Sequence, residues 1–116
     1  MLITEGGFDP RAIFELAERS VSTSNVVLAV LDGSDVDSGT AFECGVAWKV
    51  GVPIVGVRSD LRKGGDDAEA GVNLMLSGAC RTIVSIDAFK DSTPAEHAAR
   101  IGSVIRGTLN SQTRKD

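Results

Sequence analysis

The apolar positions along the chain change period several times, and each change marks an element. Asp9 and Pro10 read as a cap and a first helical position, after which Ile13, Phe14, Ala17 and Val21 recur at helical spacing. They predict a helix over residues 10–21. Residues 22–25 break it, and VVLAVL at 26–31 follows without alternation. Such a run is buried on both faces in a parallel sheet, and it is expected to be the central strand. A polar loop carries residues 32–38, a helix is expected over residues 39–50 with Gly51 as its stop, and residues 53–57 make a second short strand. Residues 61–71 (LRKGGDDAEAG) are polar and glycine-bearing and read as a mobile, lid-like loop. A short helix over residues 73–77 and a third strand over residues 82–86 come next. Thr93-Pro94-Ala95-Glu96 has the capping-box form, and Ala98, Ile101, Val104, Ile105 and Leu109 give the last helix its apolar stripe. Residues 110–116 are expected to be a frayed polar tail.

Strands alternating with helices predict one α/β domain spanning residues 1–116, a three-layer sandwich on a small parallel sheet of flavodoxin-like or Rossmann-like type. Three strands make a narrow sheet with two open edges, to which residues 1–4 are expected to add a short edge strand. A homo-oligomer that covers apolar helix faces fits this better than a monomer.

The composition narrows the partners. The 116 residues carry 16 acidic against 12 basic side chains, a net charge of -4, which gives no electrostatic reason to bind a nucleic acid polymer. The apolar run at 26–31 is far short of the roughly 20 residues of a membrane span, and the N-terminus lacks the pattern of a signal peptide. A soluble cytoplasmic protein with no membrane partner is expected. Cys44, Cys80 and the single histidine, His97, follow no metal-ligand spacing and form no histidine-based triad; the cysteines read as buried reduced thiols.

Chemistry concentrates beyond the first long strand, where ligands of open parallel sheets bind. Asp32, Asp35 and Asp37 fall within six residues there, although Asp37 or Ser38 can equally be a plain helix cap. Glu43 is the more telling acid. Its helical neighbours Val46, Ala47 and Val50 put it on an apolar face, and its side chain should lean back over Gly39 and Thr40 towards Asp37. Unequal carboxylates in a partly shielded cleft suit cleavage at an anomeric carbon, where one meets or attacks oxocarbenium charge. Hard cations also take clustered carboxylates, so a Mg²⁺ site is the alternative; the sugar reading expects no metal and no cofactor. Gly39, Gly45 and Gly51 do not have dinucleotide-fingerprint spacing. Trp48 reads as a core or interface residue and His97 as a surface or helix-packing residue.

The stretch DSGTAFECGVA at 37–47, followed by Gly51-Val52-Pro53-Ile54, resembles the signature of the nucleoside 2-deoxyribosyltransferases and their nucleotide N-glycosidase relatives. The similarity runs from about Ile13 to Met75 and includes Leu31-Asp32-Gly33 and Asn73-Leu74-Met75. It implies that Glu43 is the nucleophile of a covalent deoxyribosyl intermediate and that Asp37 binds the sugar hydroxyls and orients Glu43. Gly39 would let substrate approach the backbone, with Asp32, Gly33 and Ser38 beside it. Asn73 would complete the pocket of a neighbouring subunit, so the resemblance implies at least a dimer acting on a nucleoside or nucleotide. Two departures accompany it. The family opens with a strand and glycine-containing loop that the chain lacks, as if N-terminally shortened. Ala17 stands where members carry a catalytic aspartate, leaving Asp32 as a substitute donor and Glu18 facing another way. The rival readings are a binding module that has lost catalysis and a structural subunit that works with a longer chain.

Overall fold

The computed structural model describes residues 3–4, 7–59, 71–86 and 93–113. The expected lid at 61–71 lies almost wholly outside them, as do residues 114–116 of the tail. Asp9 caps α1 (Pro10–Ser22), its carboxylate accepting from the backbone N–H groups of Arg11 and Ala12 at 3.1 and 3.3 Å. Proline at the first helical position costs nothing there, because its missing N–H would have no intrahelical partner. Helix α2 (Ser38–Val50) starts at the Asp37 cap and stops at Gly51, whose φ of 85° is the left-handed conformation that terminates helices. Helix α3 (Leu74–Ala79) is capped by Asn73, and Thr93 accepts from the Glu96 N–H at the start of α4 (Pro94–Thr113). Helix α4 runs to Thr113, past the expected end, since no glycine or proline lies between Leu109 and Thr113 to stop it.

The N-terminal residues do not widen the main sheet. Strands β1 (Ile3–Thr4) and β2 (Gly7–Phe8) pair antiparallel with each other as a separate ribbon. The main sheet is β3 (Val27–Val30), β4 (Ile54–Arg58) and β5 (Thr82–Ser85), all parallel, in the order β3-β4-β5. The central strand is therefore β4 and not the long apolar run at 26–31. All five β4 residues are buried, whereas Leu28 and Val30 of β3 are 46% and 59% exposed. With β4 on one side only, β3 has an unpaired outer edge among the described residues.

One face of the sheet packs Ala29, Leu31 and Ile54 against Cys44 and Ala47 of α2, Leu76 of α3 and Val21 of α1. The opposite face packs Val55, Val57, Val84 and Ile86 against Ile101 and Val104 of α4. This is a three-layer α/β sandwich. Gly56 sits where a side chain would clash, since a Cβ there would lie 2.7 Å from Leu31 Cδ1 and 3.2 Å from Cys80 Sγ. No helix among the described residues is long and apolar enough to cross a membrane.

Candidate active site

The loop from Leu31 to Asp37 leaves the carboxyl end of β3 and delivers the chain to α2. Its turn depends on Gly33, whose φ is 103° and whose Cβ, if it had one, would stand 2.9 Å from the carbonyl oxygen of Asp35. A side chain at that position meets both strain and a clash. Two consecutive residues at the end of β4 hold the loop. The Arg58 guanidinium, 5% exposed, donates through Nη1 to the carbonyl oxygens of Leu31 and Gly33. Ser59 donates its backbone N–H to Asp32 Oδ1 at 2.7 Å and its hydroxyl to Asp32 Oδ2. Asp32 thus accepts on both oxygens and braces the loop against the end of β4.

Asp37 Oδ2 accepts from Thr40 N at 3.1 Å and from Thr40 Oγ1 at 3.4 Å, and its backbone carbonyl accepts from Ala41 N at 2.9 Å. This is a helix cap. Oδ2 lies 3.1 Å from where a Gly39 Cβ would be, so a larger residue at 39 would crowd the carboxylate. Val36 is buried and pins the loop to the core, its N–H donating to Asp35 Oδ1 at 3.1 Å.

Glu43 is exposed, and among the described residues its carboxylate has no hydrogen bond or ion pair. The shielding anticipated from Val46, Ala47 and Val50 is not present in the single chain. The buried stripe of α2 is centred on Cys44 and Ala47, and Glu43 lies about 100° around the helix from Cys44, on the shoulder of that stripe. Its charge still reaches inward: burial first, and the Glu43 carboxylate second, push the Cys44 thiol above its ordinary range. Burial, with Cys44 nearby, pushes Cys80 up to about 11. Both cysteines are free, Cys44 buried and Cys80 half-buried.

A groove of about 600 Å³ opens between α2 and α3, on the other shoulder of α2. Asp35, Ser38, Trp48, Asn73, Leu74 and Met75 are among its walls. Trp48 is 62% and Met75 80% exposed, so Trp48 is a groove wall and not core. Asn73 Oδ1 accepts from Met75 N at 2.8 Å. The structure therefore sorts the expected site residues into three places. Asp32 and Gly33 form the braced loop, Asp37, Ser38 and Gly39 the helix start with Glu43 one turn on, and Asn73 stands across the groove from Ser38. Ala17 is half-buried on α1, and Glu18 is exposed and accepts from Ser22 Oγ on its own helix at 3.1 Å. Helices α1 and α2 meet where Phe14 and Phe42 approach to 6.0 Å between ring centroids. Among the described residues no group of three or more His, Cys, Asp or Glu is arranged to hold a metal ion.

Arg58 and Ser59 are not among the site residues expected from sequence, since the apolar run of that strand ends at Val57. The available signal was a charged residue ending an apolar strand at the ligand edge of a parallel sheet.

Residues 6–75, more than half of the chain, match the nucleoside 2-deoxyribosyltransferase family. The chain belongs to that family. The match ends at Met75 and so takes in the whole ligand edge just described, from the Gly33 turn to the α3 start of this deoxyribosyltransferase relative. A solved structure of a conserved protein from Enterococcus faecalis V583 is similar to it at 27% identity and a TM-score of 0.60, covering 74% of this chain and 65% of that one. The chain thus spans just under two thirds of that protein's length. No curated protein matches it.

Proposed function

We propose that the chain acts at the N-glycosidic bond of 2′-deoxynucleosides or their nucleotides, with Glu43 as nucleophile. The observation that carries this reading is the position of Glu43: an exposed carboxylate, unengaged by any ion pair among the described residues, one turn into the helix that starts at the ligand edge of a parallel sheet. Glu43 Oε attacks C1′, the C1′–N bond breaks, and its electron pair leaves with the base, which takes up a proton from solvent. Water or a second base then attacks C1′ and returns the carboxylate, completing a double displacement that retains the sugar configuration. Asp37, fixed by Thr40, has Oδ1 left for a sugar hydroxyl. Gly39 leaves the backbone open beside it, and Asp32, Gly33 and Ser38 shape the approach.

The shielding that such chemistry needs is assigned to bound substrate and to a second copy of the chain. The exposed Trp48, Leu74 and Met75 around the groove favour a homodimer in which Asn73 reaches the neighbouring site. A cytoplasmic role in nucleoside salvage, with no cofactor, accords with such a substrate. The decisive experiment is chromatographic detection of free base from a deoxynucleoside panel, with and without an acceptor base. Glu43→Gln and Glu43→Ala are expected to lose release and exchange by more than a thousandfold; undiminished turnover in either would refute the nucleophile.

Ala17 favours a second reading, a nucleoside-binding module without turnover. Calorimetric binding of a deoxynucleoside with no base released on long incubation would select it.

A further inference from the structure

We infer that Arg58 is a positioning residue for this site, acting with Ser59 as a clamp that sets where the Asp37 carboxylate and the start of α2 stand. Three consecutive residues at the end of β3 are gripped by two consecutive residues at the end of β4. Arg58 reaches the carbonyls of Leu31 and Gly33, and Ser59 binds Asp32 between them. The gripped segment is the one that has to turn sharply: Gly33 is left-handed, and the backbone passes within 2.9 Å of its Cβ direction at the Asp35 carbonyl. Four residues after that glycine comes Asp37. Fixing the turn therefore fixes the approach angle of α2 and, through it, the carboxylates on its first two turns.

The arginine side chain suits this task by its reach. Long and planar-ended, it brings one nitrogen, Nη1, to two carbonyls of one loop from a buried position. A lysine ammonium, on a side chain about one bond shorter and free to rotate, stops short of where Nη1 stands and cannot reach both oxygens. Leu31 is wholly buried, so its carbonyl also depends on the donor for satisfaction. Arg58 acts through the backbone of the loop, and no contact between it and substrate is needed.

The catalytic half of this inference rests on the reading of Asp37 and Glu43 above; the conformational half does not. Two variants address both, Arg58→Lys and, from the other side of the turn with Arg58 intact, Gly33→Ala. Hydrogen–deuterium exchange reads the clamp directly through the Thr40 and Ala41 amides, which are bonded to Asp37. These are expected to exchange about tenfold or more faster in each variant, with α4 amides unchanged. Where the wild-type protein releases base, kcat/KM should fall by about 10- to 100-fold, the scale of a misplacement near 1 Å, with KM rising. Mere loss of folded enzyme would lower kcat at constant KM. Unchanged exchange at Thr40 and Ala41 in Arg58→Lys, or a fall in kcat with KM fixed, overturns the clamp. Absence of base release in the wild type would refute the proposed function, while the exchange result would still decide the clamp.

Discussion

On the sheet side of α2, Cys44 and Ala47 are sealed against Leu31 and Ile54, whereas on the outer side Phe42, Glu43, Gly45, Trp48 and Lys49 are exposed. The two sides of one 13-residue helix answer different demands. Small residues facing inward let the helix lie close to the sheet, and close packing fixes its rotation and so the direction of every outward side chain. On the proposed function, Glu43 and Trp48 face outward for contact with something else: a substrate for Glu43, a partner copy for Trp48. A side chain held in place by its neighbours' packing and not by its own bonds remains available to react.

The largest expected break of this contrast is Leu31→Ala. Leu31 is wholly buried under α2, and its removal leaves a cavity that a three-layer core with Gly56 alongside cannot refill. A loss of about 2–5 kcal/mol is expected in urea unfolding. The helix would lose its reference surface, so activity should fall with stability.

Next in size is Asp37→Ala, which removes the acceptor for Thr40 and should cost about 1 kcal/mol of stability. Paired with it, Glu43→Ala should stay within about 0.5 kcal/mol of the parent protein, as expected for an exposed side chain without an ion pair. On the proposed mechanism both variants lose base release, but only Asp37→Ala also lowers the unfolding midpoint. Equal destabilisation by the two would mean that Glu43 has a structural partner, and the division between the sides of α2 would fail.

What the sequence made legible follows from how local each signal is. The Asp9-Pro10 start, the Gly51 stop and the Thr93 cap rest on hydrogen bonds or dihedrals within four residues, and all are found where the pattern put them. The sheet centre was not legible, because an apolar run does not record its neighbours. VLAV in β3 looks like the stronger strand, yet β4, with Gly56 in it and Arg58 at its end, is the one flanked on both sides. Gly56 weakens β4 in sequence terms and is required there by the approach of Leu31 and Cys80. Arg58 is not legible for a similar reason: it serves backbone carbonyls 25 and 27 residues away, and carbonyls carry no sequence signature. At Glu43 the spacing put the side chain on an apolar face, whereas it stands exposed on the shoulder of the buried stripe, because the helix is turned so that Cys44 and Ala47 face inward. The motif itself was legible throughout, since its residues are contiguous.

A test that leaves neutral-pH activity unchanged addresses the inner side alone. Burial, and Cys44 close by, raise the Cys80 thiol from 9.0 to about 11, so the folded chain holds that proton more tightly than the unfolded chain does. The stabilisation is therefore complete below about pH 9 and is lost as pH climbs through about 11, with Cys44 displaced in the same direction. Melting temperature should decline across that window, and Cys80→Ala should flatten the decline without changing base release near neutral pH. The chain has no tyrosine to obscure thiolate ultraviolet absorbance, so the titration can be followed directly. If the thiolate forms near pH 9 in the folded protein, water reaches the space between Cys80 and Cys44, and the inner side of α2 is less tightly sealed than its contacts indicate. In that case the rotation of α2 would be less firmly set, and the exposed position of Glu43 would be one orientation among several.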